Sequence, residues 1–118
     1  MVEHDQGTIT LAYGLPKYIE MAKTLARSLR LHSPGIRRAI ATDRLDDKSL
    51  LELFDSVVPL RKEYGSNVRQ KLHLDRYSPF TRTVFIDCDS IAVRDIQFIF
   101  ELLRGTGFSL KFRAVDSN

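Results

Sequence analysis

The apolar run Thr83-Val84-Phe85-Ile86 ends in Asp87-Cys88-Asp89-Ser90, so a strand-forming segment delivers two carboxylates, one residue apart, to its C-terminal end. Open α/β sheets bind their ligands at the C-terminal ends of strands, which is where this pair places negative charge. Two such carboxylates hold a hard divalent cation through oxygen, and the cation in turn holds a diphosphate. Aspartate is also a common turn former that bonds its own backbone, so Asp87 and Asp89 have a purely structural explanation as well. Cys88 has no base beside it to activate a thiol; it is most simply a small residue facing inward between two outward carboxylates.

The elements that must position this pair are legible in the spacing of apolar residues. Thr8 to Tyr13 is β-branched and apolar and runs into Gly14 and Pro16, the pattern of a strand ending in a loop. From Pro16 the apolar residues Ile19, Ala22, Leu25, Ala26 and Leu29 recur every three or four positions, which predicts a helix closed by Ser33-Pro34-Gly35. Ile36 to Thr42 is a second strand, and Asp46 or Asp47 caps a short helix carrying Leu50, Leu51 and Phe54. Ser56 to Leu60 is a third strand, expected near an edge because it contains Pro59. After a polar loop, Ser66 or Asn67 opens a helix through Val68 and Leu72 to Tyr77, and the strand of the acids follows from Arg82. Asp95 then starts a helix with Ile96, Ile99, Phe100 and Leu103, and Gly105-Thr106-Gly107 turns into Phe108 to Phe112. Strands alternating with helices predict an α/β fold: a mostly parallel sheet, right-handed crossovers, helices on both faces and a ligand crevice at the strand C-termini. The Thr8 strand is expected at the centre, between the Ile36 and Arg82 strands.

Composition excludes several classes. The chain has 118 residues, 43% hydrophobic and 28% charged, which fits a single small globular domain over residues 1–118 and not a disordered or fibrous chain. The net charge of +3 and the pI near 9.2 come from 18 basic residues scattered among 15 acids. No basic run exceeds a pair, so no nucleic-acid partner is expected; a mildly basic surface suits a phosphorylated ligand. One cysteine precludes an internal disulfide and a cysteine-based zinc cluster and fits a reducing compartment. The start, Met1 to Gly7, lacks the apolar core of a signal peptide, and no apolar run reaches the roughly 18 residues of a membrane span. A soluble cytoplasmic protein without membrane insertion is expected.

The run Lys71-Leu72-His73, followed by Phe85-Ile86, then Asp87-Cys88-Asp89, then Ser90-Ile91-Ala92-Val93, resembles the donor-binding half of a glycosyltransferase with the GT-A fold. The likeness is to glycosyltransferase family 8, the glycogenin-like and galactosyltransferase-like retaining enzymes. Thr8-Ile9-Thr10-Leu11-Ala12-Tyr13, leading through Tyr18 to Ser28-Leu29-Arg30-Leu31-His32, is similar to that family's first strand, nucleotide loop and helix. The resemblance runs from about Thr8 to Ile96. It implies a Rossmann-like nucleotide-diphospho-sugar transferase fold, with Asp89 chelating Mn2+ or Mg2+ and Asp87 contacting both the metal and the ribose of a UDP-sugar. By the same likeness Lys71 contacts the donor sugar or phosphates, and Ala12, Tyr13 and Tyr18 line the base and ribose. Each has a plainer explanation: Lys71 can pair with Asp75 one helical turn on, and Tyr13 can be core packing. His73 fits a packed or surface helix position, His4 belongs to an unstructured start, and His32 is a cation at a helix C-terminus.

Family members continue for well over a hundred residues beyond the acid pair, with a third metal ligand that is usually a histidine in a His-x-x-Gly-x-x-Lys-Pro segment. This sequence has no such segment after Asp89. The expectation is therefore an incomplete GT-A domain without its C-terminal acceptor half, either a donor-binding piece or a relative that binds without catalysing, with an exposed apolar edge that favours a homodimer or a partner domain. Two rivals stand beside the transferase: a non-catalytic nucleotide-sugar binding or assembly module, and a haloacid-dehalogenase-like phosphatase. The latter also ends a strand in Asp-x-Asp, but usually near the start of its fold and followed by a Ser/Thr, a Lys and further acids.

Overall fold

A computed structural model describes residues 6–65, 74–103 and 110–112. Five strands, β1 (Gln6–Leu11), β2 (Arg37–Thr42), β3 (Ser56–Pro59), β4 (Arg82–Ile86) and β5 (Leu110–Phe112), form one sheet. Their order is β3-β2-β1-β4-β5, and every pairing is parallel. The expected centre holds: β1 lies between β2, with Ile9 opposite Ala39, and β4, with Ile9 opposite Phe85. β3 is an edge strand ending in Pro59, where the missing N–H disturbs no inner ladder.

Both faces of β1 are covered, so its residues from Gly7 to Leu11 are all buried. Helices α1 (Pro16–His32) and α2 (Lys48–Leu53) pack on one face, where Ile19, Ala22, Ala26, Leu50, Leu53 and Phe54 cluster with Ala12 and Ile40. On the same side, Leu25 and Leu29 of α1 meet Val84 and Ile86 of β4, Ile96, and Ile99 and Phe100 of α4 (Gln97–Leu103). The opposite face gathers Ile9, Leu11, Ala39 and Ala41 under Tyr77 of the one-turn helix α3 (Leu74–Tyr77), with Phe80 and Phe85 alongside. Gly7 is required there, because a Cβ at that position would overlap the Phe80 ring. Among the described residues no helix is long and apolar enough to cross a membrane.

Boundaries differ from the sequence pattern for local reasons. β1 starts at Gln6 and stops at Leu11, because Gly14 turns at φ +87 and Pro16 begins α1. Of the two candidate caps for α2 it is Asp47 that accepts from the Ser49 N–H. Asp95 precedes α4 and does not lie within it; its carboxylate accepts the Gln97 N–H as the helix opens. The polar loop after β3 contains a 3-10 turn at Lys62–Tyr64, closed by Gly65 at φ 84. Val68, Lys71, Leu72 and His73 of the helix expected to open at Ser66 or Asn67, and Phe108 at the start of the last strand, lie outside the described residues.

Candidate functional site

From β1 the chain winds outward to β2 and β3, then returns to place β4 on the other side of β1. The strand order therefore reverses between β1 and β4, the point at which parallel sheets open a crevice above their C-terminal ends. Three loops meet this edge, after β1, β2 and β4.

The first two loops are laced together. Ala12 N–H donates to the Ala41 carbonyl at 3.0 Å, Gly14 N–H donates to Asp43 Oδ2 at 3.3 Å, and Arg44 Nη2 donates to the Gly14 carbonyl at 3.0 Å. The third loop is formed by the acids. Ser90 N–H donates to the Asp87 carbonyl at 3.0 Å, closing a turn with Asp87 half-buried and Asp89 exposed. Continuing the β1–β4 register by two residues sets Asp87 level with Leu11, and Cys88 packs inward against the cluster containing Ala12. Cys88 is half-buried within the turn and faces that cluster, as expected of a small residue between the two carboxylates.

Beyond the turn, the segment leading to α4 has no regular structure of its own and is stapled by two serines, one in α1 and one at its C-cap. Ser28 Oγ accepts the Ala92 N–H at 2.8 Å. Ser33 Oγ accepts the Ile96 N–H at 2.8 Å and donates to Asp95 Oδ1 at 2.7 Å. The Ser33 hydroxyl, followed by the Gln97 N–H, holds the Asp95 carboxyl below the usual carboxylate range.

The remaining expected site residues are placed as follows. Ala12 is buried, its side chain in the core and its N–H committed to β2. Tyr13 is half-buried and packs against the apolar cluster of the opposite face, so core packing accounts for part of its ring. Tyr18 is exposed on the first turn of α1, with the Lys17 ammonium 5.3 Å from its ring centroid. Lys71 lies outside the described residues. The donor set offered by Asp87 and Asp89 is two carboxylates on one turn, and no group of three His, Cys, Asp or Glu suited to a metal occurs among the described residues. Such a pair fits a hard cation that takes its other oxygens from water and phosphate, as magnesium commonly does.

Two features of this edge are not written in the local pattern. Lys23, buried on α1, pairs with Asp47 at 2.9 Å and with Glu20 at 3.2 Å. It braces α1 against the cap of α2. An open cleft of about 460 Å³ lies between α1 and the acid turn, lined by Lys17, Met21 and Thr24 on one side and by Cys88, Asp89, Ser90 and Ile91 on the other. The helical spacing of Lys17, Met21 and Thr24 was the available signal, but only the third loop shows what that stripe faces. Comparison with protein-family models and with curated proteins returns no match to this chain.

Proposed function

We propose that this domain binds a nucleoside-diphosphate sugar through a divalent cation held by Asp87 and Asp89, in the manner of the donor half of a GT-A glycosyltransferase. The observation that carries the reading is the carboxylate pair on a closed turn at the C-terminal end of β4, beside β1, where the strand order reverses. Lewis-acid stabilisation of a diphosphate leaving group is what a bound Mn2+ or Mg2+ supplies.

The chain's own residues do the rest. Asp87 and Asp89 supply the anionic oxygens. The Tyr13–Leu15 loop, held to Asp43 and Arg44, borders the crevice on the β1 side. Tyr18 offers an exposed aromatic face near it. The N-terminus of α1 has no side-chain cap and no acid in its first turn, so the positive end of the helix dipole is not neutralised there, although Pro16 carries no N–H and Tyr18 N–H donates to the Leu15 carbonyl at 3.1 Å.

Isothermal titration calorimetry with UDP tests the reading. Binding is expected only with Mn2+ or Mg2+ present and is expected to weaken at least tenfold in Asp89→Ala. Equal affinity in excess chelator would refute it. Donor hydrolysis assayed with and without Mn2+ separates a transferase from a module that binds without turnover.

A further inference from the structure

We infer that Arg30 and Arg38, at the end of the sheet remote from the carboxylate turn, form a binding site for a phosphate-class oxyanion; this goes beyond the nucleotide-sugar reading and does not rest on it. Arg38 stands near the N-terminal end of β2, whereas Asp87 and Asp89 follow the C-terminal end of β4 in the same parallel sheet. Strands of this length hold their two ends roughly 15–20 Å apart.

Arg38 is only 8% exposed, although it carries a full charge. A guanidinium has five N–H donors. Nε spends its own on the Leu53 carbonyl at 2.8 Å, at the end of α2. The remaining donors, on Nη1 and Nη2, have no partner among the described residues. Asp55 is close, but its Oδ2 accepts the backbone N–H of Arg38 at 2.8 Å and makes no ion pair with the guanidinium. A desolvated cation without a counter-charge is costly, and charge-assisted bonds to an anion offset that cost. Both Nη atoms reach the surface, unlike the sealed hydroxyls of Thr10 and Ser90, so a ligand can meet them.

A second cation arrives at the same place by helical spacing. Lys23 and Asp47 tie α1 to the start of α2 at 2.9 Å. Two turns beyond Lys23, about 10 Å along α1, the same stripe brings up Arg30. A similar distance beyond Asp47, α2 ends at Leu53, whose carbonyl holds Arg38. Arg30 is exposed and has no partner among the described residues. Desolvation foremost draws the Arg38 pKa down; Asp55 opposes this, and the charge of Arg30 adds to it. Two planar guanidinium forks match the oxygen edges of a phosphate, and its double charge balances both, where a single carboxylate would balance one. The oxyanion can be free phosphate or a phosphate monoester, and the two sources are separable.

The test uses the whole chain without nucleotide and in excess chelator, so that no metal at the carboxylate turn can recruit phosphate. The Nε–H resonance of Arg38 is followed during titration with sodium phosphate, against sodium chloride at matched ionic strength, in wild type, Arg30→Gln and Lys62→Gln. Arg30 and Lys62 are both exposed, so both variants should fold, and Lys62 lies beyond the C-terminal end of β3 at the other end of the sheet. Phosphate is expected to shift the resonance saturably, with an affinity at least about fivefold lower in Arg30→Gln and unchanged in Lys62→Gln. O-phospho-L-serine separates the sources: tighter binding than phosphate identifies a monoester, and equal or weaker binding identifies the free ion. A phosphate shift no larger than that of chloride, an affinity undiminished in Arg30→Gln, or an equal loss in both variants overturns the proposal. Because neither UDP nor metal is present, failure here and failure of the nucleotide reading are read from separate experiments.

Discussion

Replacing Asp47 by asparagine removes one charge from a brace between two helices while keeping an oxygen for the cap of α2. In the native chain the Asp47 carboxylate accepts from the Ser49 hydroxyl at 2.6 Å, the Lys23 ammonium at 2.9 Å and the Ser49 N–H at 3.0 Å. These contacts, the serine hydroxyl foremost and the lysine next, pull its pKa from 3.8 to about 2. With only 27% of the side chain exposed, solvent screening is limited, and the shift corresponds to about 2 kcal/mol of folding stability at neutral pH. Because the folded pKa lies below the unfolded one, this contribution is complete above about pH 4 and disappears as the pH falls toward 2. Lys23 reports the same pair from the other side: its pKa is raised, first by the Asp47 hydrogen bond, so its contribution holds below 10.5 and is lost as the pH climbs through the raised value. Urea denaturation of wild type and Asp47→Asn at pH 7, 4, 3 and 2 isolates the effect, since other carboxylates cancel in the difference. The expected deficit is about 2 kcal/mol at pH 7, closing to a few tenths near pH 2. A deficit that is absent at pH 7, or that persists undiminished at pH 2, would show that the ion pair does not stabilise the fold in this way.

Gly7→Ala should lower stability by about 1–3 kcal/mol, because the new methyl overlaps Phe80; thermal denaturation should show part of the loss recovered in Gly7→Ala/Phe80→Leu, and no recovery would place the strain elsewhere. Ser33→Ala should move the Asp95 carboxyl titration upward toward its ordinary value by removing the largest contribution holding it down. Carboxyl-carbon NMR reads that shift, and an unchanged titration would contradict the 2.7 Å hydroxyl contact.

The parallel sheet was legible because its evidence is periodic. Ile19 through Leu29 announce α1, the run ending at Ile86 announces β4, and Pro59 announces an edge. The order of β1, β2 and β4 followed from the alternation of strands and helices, which leaves few connections open. What sequence spacing could not supply was contact between distant segments. Lys23 looks like an ordinary helical lysine until Asp47, on another loop, is beside it. Arg38 looks like a charged strand terminus, yet it is buried with Nε donating to the Leu53 carbonyl at 2.8 Å, and desolvation draws its pKa down. Ser90 passes for a turn residue after the acids, and its unpaired hydroxyl is visible only once α1 closes one side of the cleft.

The serine staples give the acid turn a clock of its own. Ala92 and Ile96 donate their N–H groups to the hydroxyls of Ser28 in α1 and Ser33 at its C-cap and not to a strand or helix ladder. Their protection from solvent hydrogen therefore measures how often this one segment lifts from α1, independently of how often the sheet comes apart. Amide exchange at these two positions, compared with exchange at Ile9 in the central strand, would record the free energy of opening of the segment that follows the carboxylate turn. A ligand that bridges Asp89 to α1 would slow the first pair while leaving Ile9 at its own pace.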